Sequence, residues 1–353
     1  MRKITDVDKN LAANAVAYDG MTVYCITEKP FTIYGLWEPQ NGMFQRLPKE
    51  VAEATNGGVG YLYTNTAGGR IRFCTDASTI ILRAVLPVLS QMPHMPMTGI
   101  ACFDLYVDGR YVGPFIPTNT APPAEGECMV TEGTRQLPGE GMREVLIHFP
   151  LYNAVSDVCI ALNEGAQVLE TAGYAYDKPV VYYGSSITQG GCVSHPGNAY
   201  QAILSRDFDC DYINLGFSGS CLGESAMAEY IAGLDMQAFV LDYDHNAPSA
   251  EHLEQTHEAV FRCVREKQPD LPILLVTAAD HCLGDRQRRK EVIRRTYDNA
   301  RKSGDEKVYF LDGDDIYREV GLDFCTVDGC HPNDLGFYCM ARAIGKKLKN
   351  MLP

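Results

Sequence analysis

Pro179-Val180-Val181-Tyr182-Tyr183-Gly184-Ser185-Ser186-Ile187-Thr188-Gln189-Gly190 is the stretch on which the reading of this chain turns. It begins as a short apolar run of strand length closed by a glycine, then becomes a small polar loop that leads into a helical pattern over about 197–206. Four more runs of the same kind follow: Tyr212-Ile213-Asn214-Leu215, Ala238-Phe239-Val240-Leu241, Ile273-Leu274-Leu275-Val276 and Val308-Tyr309-Phe310-Leu311. Amphipathic segments separate them. The segment 249–267 opens on Ser249, a good helix cap, and 285–302 sets Ile293, Tyr297 and Ala300 on one face, with Glu291 four residues before Arg295. A last helix from about Asn333 ends in Lys346, Lys347 and Lys349, which suit the negative end of its dipole. Strands alternating with helices predict parallel βαβ units in an open α/β sheet.

Upstream, the period changes to two. Ile71 and Phe73 alternate with Arg70 and Arg72; Phe103, Leu105 and Val107 alternate with Asp104, Tyr106 and Asp108; Val145, Ile147 and Phe149 interleave with Leu146 and His148; Val158, Ile160 and Leu162 repeat the pattern. Asp108-Gly109 reads as a hairpin turn, because both central positions of a type I′ turn need positive φ. An antiparallel sandwich is the natural container for such strands. The polar stretch from Glu170 to Lys178 marks the boundary, so two domains are expected, 1–175 and 176–353. The 353 residues, at roughly 150 per domain, agree with about two.

Composition excludes several classes. The 45 acidic residues against 31 basic ones give a formal charge of -14, which opposes binding to nucleic acid or an anionic bilayer. Apolar content of 46% is ordinary, and no stretch approaches the roughly 18 uninterrupted apolar residues of a membrane-spanning helix. Met1-Arg2-Lys3-Ile4-Thr5-Asp6 lacks the apolar core of a secretory leader, so a cytoplasmic location is expected. Thirteen cysteines, an odd number with no CxxC, are expected to be mostly reduced and buried.

In an open parallel sheet the ligand crevice lies beyond the carboxyl ends of the strands. There the sequence supplies Gly184-Ser185-Ser186-Ile187-Thr188-Gln189-Gly190, Gly216-Phe217-Ser218-Gly219-Ser220, Asp242-Tyr243-Asp244-His245-Asn246, and Asp328-Gly329-Cys330-His331-Pro332. These segments, in this order, resemble the SGNH (GDSL-like) hydrolase family over roughly 179–353. The resemblance puts the family's four name residues on Ser186, Gly219, Asn246 and His331, with the acid at Asp328. It implies a flavodoxin-like three-layer α/β/α domain. Thr98-Gly99 to Phe103-Asp104-Leu105-Tyr106, preceded by Met92-Pro93-His94-Met95-Pro96, resembles the GxDLY-type module found before one SGNH subgroup, which implies a jelly-roll-like sandwich. The chain departs from the patterns at three places. Ser185 stands where the family has aspartate, Cys102 where a glycine is expected, and Asn246 follows Asp244-His245 instead of the usual glycine block.

The chemistry needs these residue types. A serine hydroxyl is a weak nucleophile at neutral pH without a base in hydrogen-bond reach, the role expected of His331, with Asp328 fixing the imidazole tautomer. The oxyanion needs donors already in place. The N–H groups of Ser186 and Gly219 and the Asn246 amide can supply them, each such donor being worth roughly 3–4 kcal/mol of barrier. Gly219 is expected to be glycine so that the backbone can approach substrate. His195 and His245 lie in predicted active-site loops and could line the pocket. The GxSxG frame of ordinary α/β-hydrolases is absent around both Ser186 and Ser218.

No cofactor and no metal are expected. Asp312-Gly313-Asp314-Asp315 lacks the spacing of a calcium loop, and a zinc set of Cys325, Cys330 and His331 lacks a further thiolate and would occupy the base. The basic run Arg286, Arg288, Arg289, Lys290, Arg294 and Arg295 reads as a solvated helix face. The resemblance implies a serine esterase for short acyl esters, with O-acetylated carbohydrate as the favoured small-molecule or oligosaccharide substrate. Two alternatives stand beside it: a lipase, lysophospholipase or thioesterase for longer chains, and a carbohydrate-binding protein that has lost activity. A homo-oligomer is left open.

Overall fold

The computed structural model describes residues 17–40, 42–117, 121, 124, 127–279 and 282–353. The residues read for a leader lie outside that set. In the second half, the strands Val180–Gly184, Tyr212–Gly216, Ala238–Asp242, Ile273–Val276 and Val308–Leu311 form one parallel sheet, ordered 2-1-3-4-5 in chain sequence. Both faces are covered, which is why these strands read as unbroken apolar runs. Val180, Tyr182, Val240 and Leu274 share a core with the helices Tyr200–Phe208 and Asp334–Leu348. Val181, Tyr183, Leu241 and Leu275 share the other with Ser225–Ala232, Ala250–Lys267 and Arg286–Lys302. Ser249 caps its helix as the sequence predicts, accepting from the His252 N–H. The strand order reverses around Val180–Gly184, so the crevice opens over its carboxyl end.

The helix expected over about 197–206 starts later than its pattern suggests, at Tyr200, behind a single 3₁₀ turn Pro196–Asn198. The cause is tertiary. Asp104 accepts the Gly197 N–H at 2.6 Å, and a Cβ on Gly197 would lie 2.4 Å from the Tyr106 hydroxyl oxygen, so this turn is pressed against the first half of the chain.

The first half contains two antiparallel sheets. One runs Met21–Cys25, Asp157–Asn163, Thr79–Leu86, Met129–Gln136; the other runs Val168–Leu169, Arg70–Thr75, Arg143–His148, Phe103–Val107, Arg110–Phe115, with Thr32–Tyr34 also paired to Arg70–Thr75. Asp108 and Gly109 both take positive φ at the hairpin between Phe103–Val107 and Arg110–Phe115. Ile71, Phe73, Leu105, Val145 and Ile147 face a common core with Ile80, Leu82, Ile160 and Leu162.

The alternation implies that Arg70, Asp104, Tyr106 and His148 lie on an outward face, yet all four are buried. The parallel-sheet half covers them. Arg70 donates to the Tyr212 carbonyl at 3.1 Å and to the Asp211 carboxylate, and Asp104 holds His195. Two short helices that no strong pattern announces, Lys49–Thr55 and Gly57–Leu62, place Ala52 and Val59 in the core beneath Ser225–Ala232. Six of the thirteen cysteines are buried, fewer than expected; the others lie on half-exposed or exposed positions.

Candidate active site

Ser186 opens a one-turn helix, Ser186–Gln189, directly after the central strand. Ser185, where the family pattern has a carboxylate, caps that turn by accepting the Ile187 N–H at 3.1 Å. The Ser186 carbonyl accepts from Gly190 N at 3.1 Å, Gly191 N at 2.8 Å and the Tyr152 hydroxyl at 2.9 Å. The turn lies flat on the sheet because its neighbours are glycines. A Cβ on Gly184 would lie 2.1 Å from Thr188 Oγ1, and one on Gly216 would lie 2.2 Å from Gln189 N.

His331 arrives from a closed loop. Thr326 and Pro332 form a β-bridge, Val327 N donates to the His331 carbonyl at 2.9 Å, and Asn333 N donates to the Cys325 carbonyl at 2.9 Å. Inside it, Asp328 Oδ1 accepts the backbone N–H groups of Cys330 at 3.0 Å and His331 at 2.7 Å, leaving Oδ2 for His331 Nδ1 at 2.7 Å. That double use explains the three-residue spacing: one carboxylate folds the loop and meets the ring. An ionised carboxylate can only accept, so the hydrogen sits on Nδ1 and the Nε2 lone pair is free. Ser186 Oγ lies 2.9 Å from that Nε2. Burial pushes the Asp328 carboxyl up, but hydrogen bonds from the His331 ring and from two backbone N–H groups outweigh it and hold Asp328 below the usual carboxylate range.

The other predicted residues are distributed around this line. Gly219 sits at φ +66, in a loop where Ser218 N donates to Gln189 Oε1 at 2.9 Å. A Cβ there would meet no protein atom, so the left-handed backbone, rather than crowding by the protein, calls for glycine. Asn246 Nδ2 donates to the Phe217 carbonyl at 2.9 Å, tying the turn after the third strand to this loop and leaving a second Nδ2 hydrogen. His245 lies in the same 3₁₀ turn, Asp244–Asn246. His195 is engaged elsewhere: its Nδ1 meets Asp104 at 2.6 Å and its ring stacks on Tyr111 at 4.2 Å.

One reading is corrected. Arg289 does not belong to a solvated face; it is buried, donating to the carbonyls of Asp244 at 2.6 Å and Ala247 at 2.8 Å, and so braces the turn that carries Asn246. The carbonyls exposed by that tight turn need donors, and a guanidinium supplies several. Lys290, in the same run, lies 2.6 Å from both Asp312 and Asp314.

Sequence reasoning missed residues supplied by the first half. His94 stands with its ring 5.5 Å from that of His331. Tyr152 holds the Ser186 carbonyl, and Gln189 Nε2 donates to the Leu151 carbonyl at 3.2 Å. Arg46 donates to the Gly216 carbonyl and lies 4.1 Å over the Phe217 ring. The only sequence signal for any of these was the proline-braced segment Met92 to Pro96.

Two family models match. Residues 177–349 match the GDSL-like lipase/acylhydrolase family, and residues 21–168 match the GxDLY model, the N-terminus of SGNH-hydrolase-type esterases. Residues 177–349 belong to the GDSL-like lipase/acylhydrolase family, behind a GxDLY N-terminus, and the chain is a hydrolase of the SGNH type. Among solved structures, it resembles a protein from Bacteroides ovatus described as a GDSL-like lipase, at 29% identity and TM-score 0.82 over 94% of this chain and 98% of that one. It also resembles the salicylyl-acyltransferase SsfX3 from a tetracycline biosynthetic pathway, at 20% identity and TM-score 0.77 over 95% and 98%. A family two carbohydrate esterase from Clostridium thermocellum shares the fold at 14% identity and TM-score 0.58, over 80% and 92%. No curated protein matches the chain. Among the described residues no helix is long and apolar enough to cross a membrane.

Proposed function

We propose that this family member is a serine esterase that removes short acyl groups, with O-acetylated carbohydrate as its substrate class. The observation that carries the reading is the unbroken line Ser186 Oγ, His331 Nε2, His331 Nδ1, Asp328 Oδ2, with steps of 2.9 and 2.7 Å. In this mechanism Ser186 attacks the ester carbonyl, His331 takes its proton and returns it to the leaving alcohol, and water then cleaves the acyl-enzyme by the same route. Asp328 holds the tautomer and stabilises the imidazolium. The N–H groups of Ser186 and Gly219 and the free Asn246 amide hydrogen receive the oxyanion.

The shared fold of the carbohydrate esterases supports the sugar ester. The two halves are taken as a sandwich over 1–175 and a catalytic domain over 176–353. A jelly roll is supported by the strand order. With the eight principal strands numbered along the chain from Met21–Cys25 to Asp157–Asn163, the sheets run 1-8-3-6 and 2-7-4-5, the pattern of one long hairpin rolled up.

The deciding experiment pairs Ser186→Ala with an acyl series. The variant should lose about 10⁵–10⁶ of kcat on p-nitrophenyl acetate while unfolding at the parent's temperature. The parent should prefer acetate to decanoate, release acetate from acetylated oligosaccharides, and take up one fluorophosphonate. Turnover retained by Ser186→Ala would remove this serine from the mechanism, and a preference for decanoate would make the chain a long-chain lipase.

A further inference from the structure

Among the described residues, one group of three metal-ligating side chains has its ligand atoms within 4.8 Å of one another: His94, Cys192 and His331. They come from three separate segments. His94 belongs to the exposed loop of the first half, Cys192 follows the nucleophile turn, and His331 is the proposed base. Neither Cys325 nor Cys330, the thiols beside His331 in sequence, is in the group. We propose that these three residues form an inhibitory binding site for a borderline-soft divalent cation, with Zn²⁺ as its type ligand.

The donor set is right for that class. Two imidazoles and a thiolate match zinc in softness, and three protein ligands leave the fourth tetrahedral position open to water or to Ser186 Oγ. His331 is arranged for the task. A zinc-bound histidine ordinarily gives its other N–H to a carboxylate, which fixes the tautomer and raises the basicity of the free nitrogen. Asp328 does this at 2.7 Å. The lone pair that would accept the serine proton is thus the lone pair a metal would take.

Cys192 adds a second observation. It holds φ at +74, a left-handed conformation that L residues with a Cβ rarely adopt, and its thiol is buried against the histidine pair. It occupies this strained place beside Gly191, where any Cβ would lie 3.0 Å from the Ser186 carbonyl oxygen.

On binding, the Cys192 thiol releases its proton to solvent, three bonds to protein replace bonds to water on the hydrated ion, and the Ser186 hydroxyl loses its acceptor. No electrons are transferred. Hydrolysis and metal occupancy therefore exclude each other. The loss of activity rests on the esterase reading, whereas binding does not, and the test separates the two.

The experiment titrates the full-length, metal-stripped protein with Zn²⁺ alone, reading heat of binding and p-nitrophenyl acetate hydrolysis in parallel, with Co²⁺ as a spectroscopic probe. The parent should bind Zn²⁺ with hydrolysis falling in step with occupancy, recover with chelator, and give Co²⁺ a tetrahedral thiolate spectrum. For His94→Ala and Cys192→Ala, inhibition is read as a fraction of each variant's own metal-free rate. Each should raise the Zn²⁺ needed for half-inhibition at least as far as the roughly 10–100-fold seen when an outer-shell partner is lost. Because His94 is exposed, its truncation tests the site even should Cys192→Ala unfold. Unchanged Zn²⁺ affinity in His94→Ala, or an unaltered Co²⁺ spectrum in folded Cys192→Ala, overturns the proposal. A parent that binds Zn²⁺ through these residues yet hydrolyses no ester keeps the site and removes the esterase.

Discussion

Asp104 and Asp328 each hold a histidine Nδ1 at 2.7 Å, yet the two pairs differ in everything around them. Asp104 is fully buried between the two halves. Its Oδ1 meets His148, and its Oδ2 takes His195 at 2.6 Å and the Gly197 N–H at 2.6 Å. Asp328 is partly exposed, and the far nitrogen of its histidine reaches a serine. In both, burial pushes the carboxyl up and the donors win, so both stay ionised. Burial also lowers His148, which Asp104 opposes. An aspartate–histidine contact is therefore chemically silent by itself. A serine hydroxyl on the second nitrogen and an opening to solvent make one pair the base of the proposed mechanism, while three donors and full enclosure make the other a clamp.

Of the two aspartates, Asp328 should carry the larger catalytic effect: Asp328→Asn keeps the shape and exchanges the acceptor for a group that can donate. Measured kcat on p-nitrophenyl acetate should fall about 10⁴-fold, as when the wrong imidazole tautomer is stabilised in a serine triad. The thermal midpoint should move little, because this loop keeps its Thr326–Pro332 bridge. A variant with parental kcat would leave His331 working without its acid.

Asp104→Asn should show the reverse. Removing one member of a buried charged cluster costs about 3–5 kcal/mol, read as a lowered urea midpoint, with per-molecule kcat far less affected than in Asp328→Asn. The pH dependence gives an independent check. A carboxyl whose folded value is depressed adds stability above its unfolded value near 3.9 and loses it as pH falls toward the folded value, so the variant should lack that part of the acid slope. Equal midpoints for parent and variant would show that the clamp holds nothing.

The same contrast explains what the sequence could tell. The parallel strands were legible because burial on both faces leaves continuous apolar runs, and the Asp328/His331 pair was legible because loop closure ties it to three residues of chain. His195 was readable as a loop histidine but not as a partner of Asp104, which lies 91 residues away on another sheet. Arg70, Tyr106 and His148 alternate as solvent-facing residues do. Nothing in a strand's period says that the other half of the chain will cover its polar face. Arg46, Tyr152 and His94 reach the site only through that same covering.

A second buried histidine sharpens the comparison because its ring nitrogen meets a hydroxyl instead of a carboxylate. His257 lies within the helix Ala250–Lys267, with its Nδ1 2.9 Å from Thr296 Oγ1 and its ring stacked on Tyr243 at 5.9 Å. Burial pushes its pKa down to about 3. The sign follows. As pH falls below the unfolded value near 6.5, the unfolded chain takes up a proton that the native ring refuses until about 3, so stability declines across this window. One proton corresponds to about 1.4 kcal/mol per pH unit. Between about pH 6 and 4, the unfolding free energy of His257→Gln, measured by urea titration, should therefore fall less steeply than the parent's by roughly that slope. The amide can still bond to Thr296, and kcat at neutral pH should be unchanged. Parallel slopes would mean that the folded ring takes up its proton as readily as the unfolded one, so that burial does not hold it neutral.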